Sequence, residues 1–105
     1  MAWFYLILAG VFEIGWPIGL KIAQEQETRI LGLSIAAIFM IISGLLLYVA
    51  QKEIPIGTAY AVWTGIGAAG TFLIGIMVYG DPSSMIRFLG VALIVLGVIV
   101  LKFGH

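Results

Sequence analysis

Residues 30–50 read ILGLSIAAIFMIISGLLLYVA, a run from Ile30 to Ala50 without one charged side chain. At about 1.5 Å of rise per residue, a helix of that length spans about 30 Å, the hydrocarbon thickness of a bilayer. Working outward, the same pattern recurs on both sides. A first segment runs from about Trp3 to Ala23 and ends at the polar stretch Gln24-Glu25-Gln26-Glu27-Thr28-Arg29. Gln51-Lys52-Glu53 closes the second. The third starts at Pro55, a residue suited to a first helical turn, and stays uncharged to Tyr79. Gly80-Asp81-Pro82-Ser83 makes a turn with a helix cap at Ser83 or Ser84. The fourth segment runs from about Met85 to Phe103, with Arg87 near one end, where it can reach the headgroups. The fold class is therefore an all-α membrane protein. It is a single domain over residues 1–105, with four transmembrane helices at about 3–23, 30–50, 55–79 and 85–103.

Composition requires lipid as the solvent. Hydrophobic residues make up 63% of the 105 and charged residues 10%, whereas about a quarter charged is usual for a water-soluble domain. There is no cysteine, which excludes disulfides and thiolate metal sites. The single histidine, His105, is the last residue and reads as incidental. Five basic residues balance five acidic ones and no basic run exists, so nothing attracts nucleic acid. The first hydrophobic stretch lacks a basic leader and carries Glu13, so it reads as a retained span and not a signal peptide. No nucleophile–base pair, metal cluster or cofactor motif is present, so the chain is not read as an enzyme.

Orientation follows from the positions of Lys and Arg. With four spans, one membrane side holds Lys52, Lys102 and the terminal amine, and the other holds Lys21, Arg29 and Arg87. Membrane proteins orient by a Lys/Arg difference between sides. This difference is almost nil, so the sequence does not select a topology and both orientations are expected.

Glu13 is the only ionisable group well inside a span. Counting from Trp3 places it ~15 Å deep, near the midplane. A carboxylate there costs several kcal/mol, and such residues usually mark ion or substrate pathways. Desolvation disfavours its charged form, so it can hold a proton or a cation but not both favourably. The competing reading is a protonated acid that merely bonds a neighbouring helix. Gly10, Trp16 and Pro17 share its helix face. Pro17 has no N–H for the carbonyl of residue 13, which leaves an extra acceptor beside the acid. It is read equally as a packing kink or as part of the site.

The third segment supplies complementary groups. Tyr60 and Trp63 share a face, with Thr64 one turn beyond Tyr60, and Trp63 lies ~12 Å past Pro55. An indole face attracts an organic cation and a phenol can bond a carboxylate; ordinary aromatic packing is the alternative. Ser43 is the hydroxyl deep in the second segment. It could orient a carboxylate, or bond back to its own helix. Gly57, Ala61, Gly65 and Ala69 form a small-residue stripe that admits another helix. Gly65-Ile66-Gly67 is a candidate hinge. Gly90 and Gly97 on the fourth segment suit a helix pair between subunits. Four short helices can hardly enclose a polar path, so a homodimer bringing two copies of Glu13 together is expected. If both orientations insert, it would be antiparallel, opening alternately to each side as inverted repeats do.

These residues carry a resemblance. Over its whole length the chain resembles the small multidrug resistance family, and more narrowly its guanidinium-exporter branch. The matching stretches are Ala9-Gly10-Val11-Phe12-Glu13-Ile14-Gly15-Trp16, Pro55 to Ala68, and Gly90 to Lys102. The resemblance implies an antiparallel, dual-topology homodimer in the bacterial inner membrane that exchanges protons for cations and uses the proton gradient without a cofactor. By matching position, Glu13 is the shared proton and substrate site, and Ser43 and Trp16 orient its carboxylate. Tyr60 and Trp63 line the chamber, Gly10 is the small residue beside the glutamate, and Gly90 and Gly97 belong to the dimerisation helix.

Guanidinium suits such a chamber, since it is planar and offers paired donors to a carboxylate. The branch usually has alanine where Pro17 stands, and Gly-Phe-Thr-Arg where this chain reads Gln26-Glu27-Thr28-Arg29. Pro17 is thus a candidate modifier of substrate range, and quaternary ammonium biocides are the alternative substrates. Two readings from other classes are a proton-carrying rotor subunit and a non-transporting partner of a larger membrane complex. Neither calls for Trp16, Tyr60 and Trp63.

Overall fold

The computed structural model describes residues 1–104; His105 lies outside them. Four α-helices account for nearly all of the chain: α1 Ala2–Ile22, α2 Arg29–Ala50, α3 Ile56–Tyr79 and α4 Met85–Gly104. Each is long and apolar enough to cross a bilayer. A short 3₁₀ turn, Gln26–Thr28, lies in the first connection.

Helix α1 is the centre of the chain's helix bundle, packed between α2 and α3. Its contacts with α2 descend in number as its own ascend: Ser43 meets Ala9, Phe39 meets Gly15, Ala36 meets Gly19 and Gly32 meets Ala23. The two helices are therefore antiparallel. Against α3 the numbers rise together, with Ile66 at Gly10, Gly67 at Glu13 and Gly70 at Ile14, so α1 and α3 run parallel and in register. Helix α4 returns antiparallel along α3, placing Ile94 and Val98 at Gly65 and Phe88 against Phe72.

Small residues set how closely α1 and α2 approach. A Cβ on Gly19 would stand 2.6 Å from the Ala36 nitrogen, and one on Gly32 would collide with the Ala23 backbone. The two helix axes thus meet almost backbone to backbone at this end. At the other end a compact cluster of Ala2, Leu6, Ala50, Ile54, Ala59 and Val62 closes the bundle. The first connection is tied by side chains: Thr28 Oγ1 donates to the Ile22 carbonyl at 2.8 Å, and Arg29 Nε to the Ala23 carbonyl at 3.4 Å. Both occupy orphan carbonyls at the end of α1.

Several sequence expectations need correction. Pro55 is not in the first turn of α3. Its ψ of 142° is extended, and it stands one residue outside the helix, where its carbonyl accepts the Ala59 N–H at 2.9 Å. Of the two serines proposed to cap α4, Ser84 does so, its Oγ accepting the Arg87 N–H at 3.3 Å. The small-residue stripe of α3 is buried only in part: α4 packs at Gly65 and Ala69 is buried, whereas a Cβ on Gly57 would meet nothing. The candidate hinge Gly65-Ile66-Gly67 lies within an unbroken α3, and both glycines are contact points for neighbouring helices.

No described residue of α4 is buried within the subunit, and Gly90 and Gly97 meet nothing on their open side. Cationic side chains sit on aromatic rings near the helix ends: Lys52 over Tyr48, Lys102 over Trp3 and Arg87 over Phe72, at 5.2 to 5.6 Å. This is the amphipathic pairing that anchors helix ends at a membrane interface. The α1–α2 contact yields a direct test. Gly32→Val drives two methyls into the Ala23 backbone and is expected to cost about 2 kcal/mol. The measurement is the thermal unfolding midpoint of the detergent-solubilised protein, which should fall clearly below wild type.

Candidate functional site

Glu13 is the one acidic residue within the four helices. Helix α1 carries it to the face shared by α2 and α3, half-buried, with its Cβ and Cγ lying on the bare backbone of Gly67. A Cβ at position 67 would come within 2.5 Å of the Glu13 Cγ, so glycine is required for the acid to occupy this place.

A hydrogen-bonded chain joins three helices at this point. Ser43 of α2 is fully buried. Its hydroxyl donates to the Ala9 carbonyl of α1 at 2.7 Å and accepts the Trp63 indole N–H of α3 at 2.7 Å. Glu13 Oε1 lies 3.5 Å from the same hydroxyl. Of the two readings of Ser43, back-bonding to its own helix is not seen: the hydroxyl finds its acceptor across the α1–α2 contact, within reach of the acid.

The chemistry of this cluster follows from proton counting. A hydroxyl has one proton and two lone pairs. While its proton is on Ala9 and one lone pair holds the indole, Ser43 can only accept from Glu13, which fits a protonated carboxyl. An ionised Glu13 needs a donor, and the hydroxyl can supply one by turning from the Ala9 carbonyl. Ser43 thus offers a partner to either state of the acid. Trp63 stays bonded in both, because it uses the remaining lone pair.

Beside this cluster is a cavity of about 360 Å³, open on one side. Glu13, Pro17, Thr64, Gly67, Thr71 and Asp81 are among its walls. All belong to α1, α3 and the turn after α3; α2 and α4 contribute no wall. The volume is at the lower end of small-molecule sites.

The structure brings Glu13, Ser43, Trp63 and Pro17 together. Gly10 is close to them, but its missing side chain makes room for Ile66 of α3, whose Cβ would stand 2.7 Å from a Cβ there. Its role in the subunit is helix packing. Trp16 is half-buried on α1 and is not on the cavity wall. Tyr60 is 57% exposed and touches Trp63, ring centroids 5.4 Å apart, on the outside of the subunit. Sequence reasoning missed Gly67, Thr71 and Asp81. The available signal was Gly67, Thr71 and Gly75 at four-residue spacing, which gives α3 a second small-residue face.

The sequence profile described as Small Multidrug Resistance protein matches residues 1–94. The chain belongs to the small multidrug resistance family. A protein of Yersinia pseudotuberculosis serotype I (strain IP32953) named guanidinium exporter is 46% identical over 104 residues, covering 99% of both chains. One of the same name from Proteus vulgaris is also 46% identical over 99% of both. That of Escherichia coli (strain K12) is 45% identical, covering 99% of this chain and 98% of its own. Family membership and four helices of spanning length make this a multi-pass membrane protein.

The Ser43 junction is open to a double-mutant cycle. Ser43→Ala leaves the indole N–H unpartnered and the Ala9 carbonyl with its helical bond alone, whereas Trp63→Phe removes one donor only. Stability measured for the two single variants and the double variant should be non-additive by about 1 kcal/mol, since they share one bond. Strict additivity would show that the bond contributes nothing.

Proposed function

We propose that this protein is a proton-coupled antiporter that exports guanidinium and small substituted guanidinium ions across the bacterial inner membrane. The observation that carries the reading is the placement of Glu13: an acid at mid-helix depth, beside a cavity, with a hydroxyl able to serve either protonation state. Near-full-length relatives named guanidinium exporter supply the substrate class.

The mechanism is an exclusion. With a proton on Glu13 the carboxyl is neutral and donates to Ser43, and no charge is left at the acid itself to hold a cation there. Loss of the proton creates a carboxylate that a planar cation can satisfy with two parallel N–H donors, a stronger contact than a single neutral hydrogen bond. Water is too scarce at that depth to solvate a bare carboxylate, so each departure is coupled to the next arrival. Exchange therefore follows from one acid with two mutually exclusive occupants.

One subunit does not enclose this cavity. We infer an antiparallel homodimer of dual topology, in which a second copy covers the open side and brings a second Glu13. Two features support it: the nearly even Lys/Arg distribution, and a fourth helix, carrying Gly90 and Gly97, with no buried residue of its own. Trp16 and Tyr60, which stand off the cavity in the single subunit, would line the chamber from the two copies. A second reading, export of quaternary ammonium ions, is favoured by the open side, through which an alkyl tail could project, and by Pro17 on the wall.

Proteoliposomes with an imposed guanidinium gradient test the proposal. Wild type should show guanidinium-driven proton flux, and Glu13→Gln should abolish it together with substrate binding. A Glu13→Gln variant that still exchanges protons for guanidinium would refute the mechanism. If cetyltrimethylammonium drives flux and guanidinium does not, the second reading replaces the first; Pro17→Ala is expected to shift the balance toward guanidinium.

A further inference from the structure

Helices α1 and α3 run in register from the acid to one membrane face. Glu13, Pro17 and Lys21 follow at four-residue steps on α1, opposite Gly67, Thr71 and Gly75 on α3. Eight residues of helix correspond to about 12 Å, so this groove connects the Glu13 cavity with the end of the subunit that carries Lys21 and Asp81.

Asp81 is folded back onto the end of that groove. Gly80, at φ 68°, takes the left-handed conformation that reverses the chain after α3. The Asp81 N–H then bonds the Gly75 carbonyl at 3.0 Å. Its carboxylate lies on the bare backbone of Gly75, in the space a side chain there would fill. The turn is closed by backbone groups, so the carboxylate is not needed to hold it.

The carboxylate has no ion-pair partner among the described residues. Lys21, which shares its cavity from the opposite helix, rests over the Tyr79 ring at 5.8 Å. Between them lies this second cavity of about 150 Å³, lined by Pro17, Lys21, Thr71, Gly75, Tyr79 and Asp81. Pro17, Thr71 and Asp81 also line the Glu13 cavity, so the two spaces adjoin along shared walls. Thr71, which lines both spaces, carries an unexplained group: its Oγ1 is buried behind the wall and makes no hydrogen bond. A buried hydroxyl without a partner costs free energy unless something intermittently satisfies it.

We propose that Asp81, with Thr71, forms an outer binding site for the exported cation, a station between the membrane face and Glu13. The proposal rests on the cation-exchange reading above. Its ligand class is a small planar cation with several N–H donors, which can bond the Asp81 carboxylate and, once the Thr71 side chain turns toward the cavity, its hydroxyl as well. Lys21 keeps the station weak. Its ammonium shares the cavity and can take the carboxylate when the cation leaves, and transit sites must bind weakly enough to release. In an antiparallel pair, one copy of Asp81 would stand at each membrane face.

The test measures guanidinium-driven proton flux by reconstituted full-length protein as a function of guanidinium concentration. Asp81→Asn should raise the guanidinium KM about tenfold with the maximal rate nearly unchanged, as expected when one charge-assisted bond to a transit site is lost. Asp81→Glu should recover most of it. Thr71→Val, which alters no charge, should raise KM about threefold, and it decides the matter if Asp81→Asn does not assemble. Glu27→Gln, on the same membrane side and outside both cavities, should leave KM at the wild-type value. A KM unmoved by Asp81→Asn, by Thr71→Val where it must stand in, or moved equally by Glu27→Gln, overturns the outer site. Wild-type flux in Glu13→Gln would instead overturn the exchange reading beneath it.

Discussion

The subunit is organised around one requirement: a carboxyl group placed among apolar helices must find a polar partner in both of its protonation states. Ser43 meets it. Its hydroxyl touches α1, α3 and the acid together, through Ala9, Trp63 and Glu13. Burying that hydroxyl is tolerable because both of its other capacities are used. The same three contacts hold α2, α1 and α3 at fixed spacing around the acid. The polar contacts of the acid and the packing of the helices are here one set of bonds.

Glycine provides the room. The acid is seated by Gly67, the α1–α3 approach by Gly10 and Gly70, and the α1–α2 approach by Gly19 and Gly32. In water a glycine-rich helix would be weakened by its backbone entropy. In lipid the backbone has no competing solvent for its hydrogen bonds, so these helices persist and the missing side chains become close contacts. Exchange of any one glycine in this set for a larger residue therefore moves a helix before it alters any chemistry.

Much of this was legible in the sequence. Uncharged runs and punctuating polar stretches located the four helices, and depth counting isolated Glu13. The parts that were not legible have identifiable causes. Helix α3 carries two small-residue faces offset by two positions, Gly57-Ala61-Gly65-Ala69 and Gly67-Thr71-Gly75, and periodicity cannot say which one meets α1. Selecting the first hid the seat of Glu13 and the groove beyond it. For Ser43 the sequence left two acceptors open, the carboxylate and its own helix; the Ala9 carbonyl enters only when α1 and α2 are brought backbone to backbone. Asp81 was read as turn punctuation, since nothing in Gly80-Asp81-Pro82-Ser83 reveals that the left-handed glycine folds the aspartate back over Gly75. Tyr60 illustrates the converse: its spacing to Trp63 placed both on one face, yet only the indole points to Ser43.

The distribution of burial bears on how such a small chain could do directional work. Helices α1, α2 and α3 satisfy one another, and α4 adds no buried residue and lies along α3 alone. A helix that contributes nothing to its own subunit's core is costly to retain unless it is covered elsewhere, and in a bilayer it can be covered by lipid or by another copy. The cavity beside Glu13 is open, and neither α2 nor α4 supplies a wall to it. Lipid would fill that gap with hydrocarbon, which solvates neither a carboxylate nor a cation. A protein surface bearing its own Glu13, Trp63 and Tyr60 would solvate both. Under the proposed exchange reading, that polar demand favours a second copy over lipid at the open cavity.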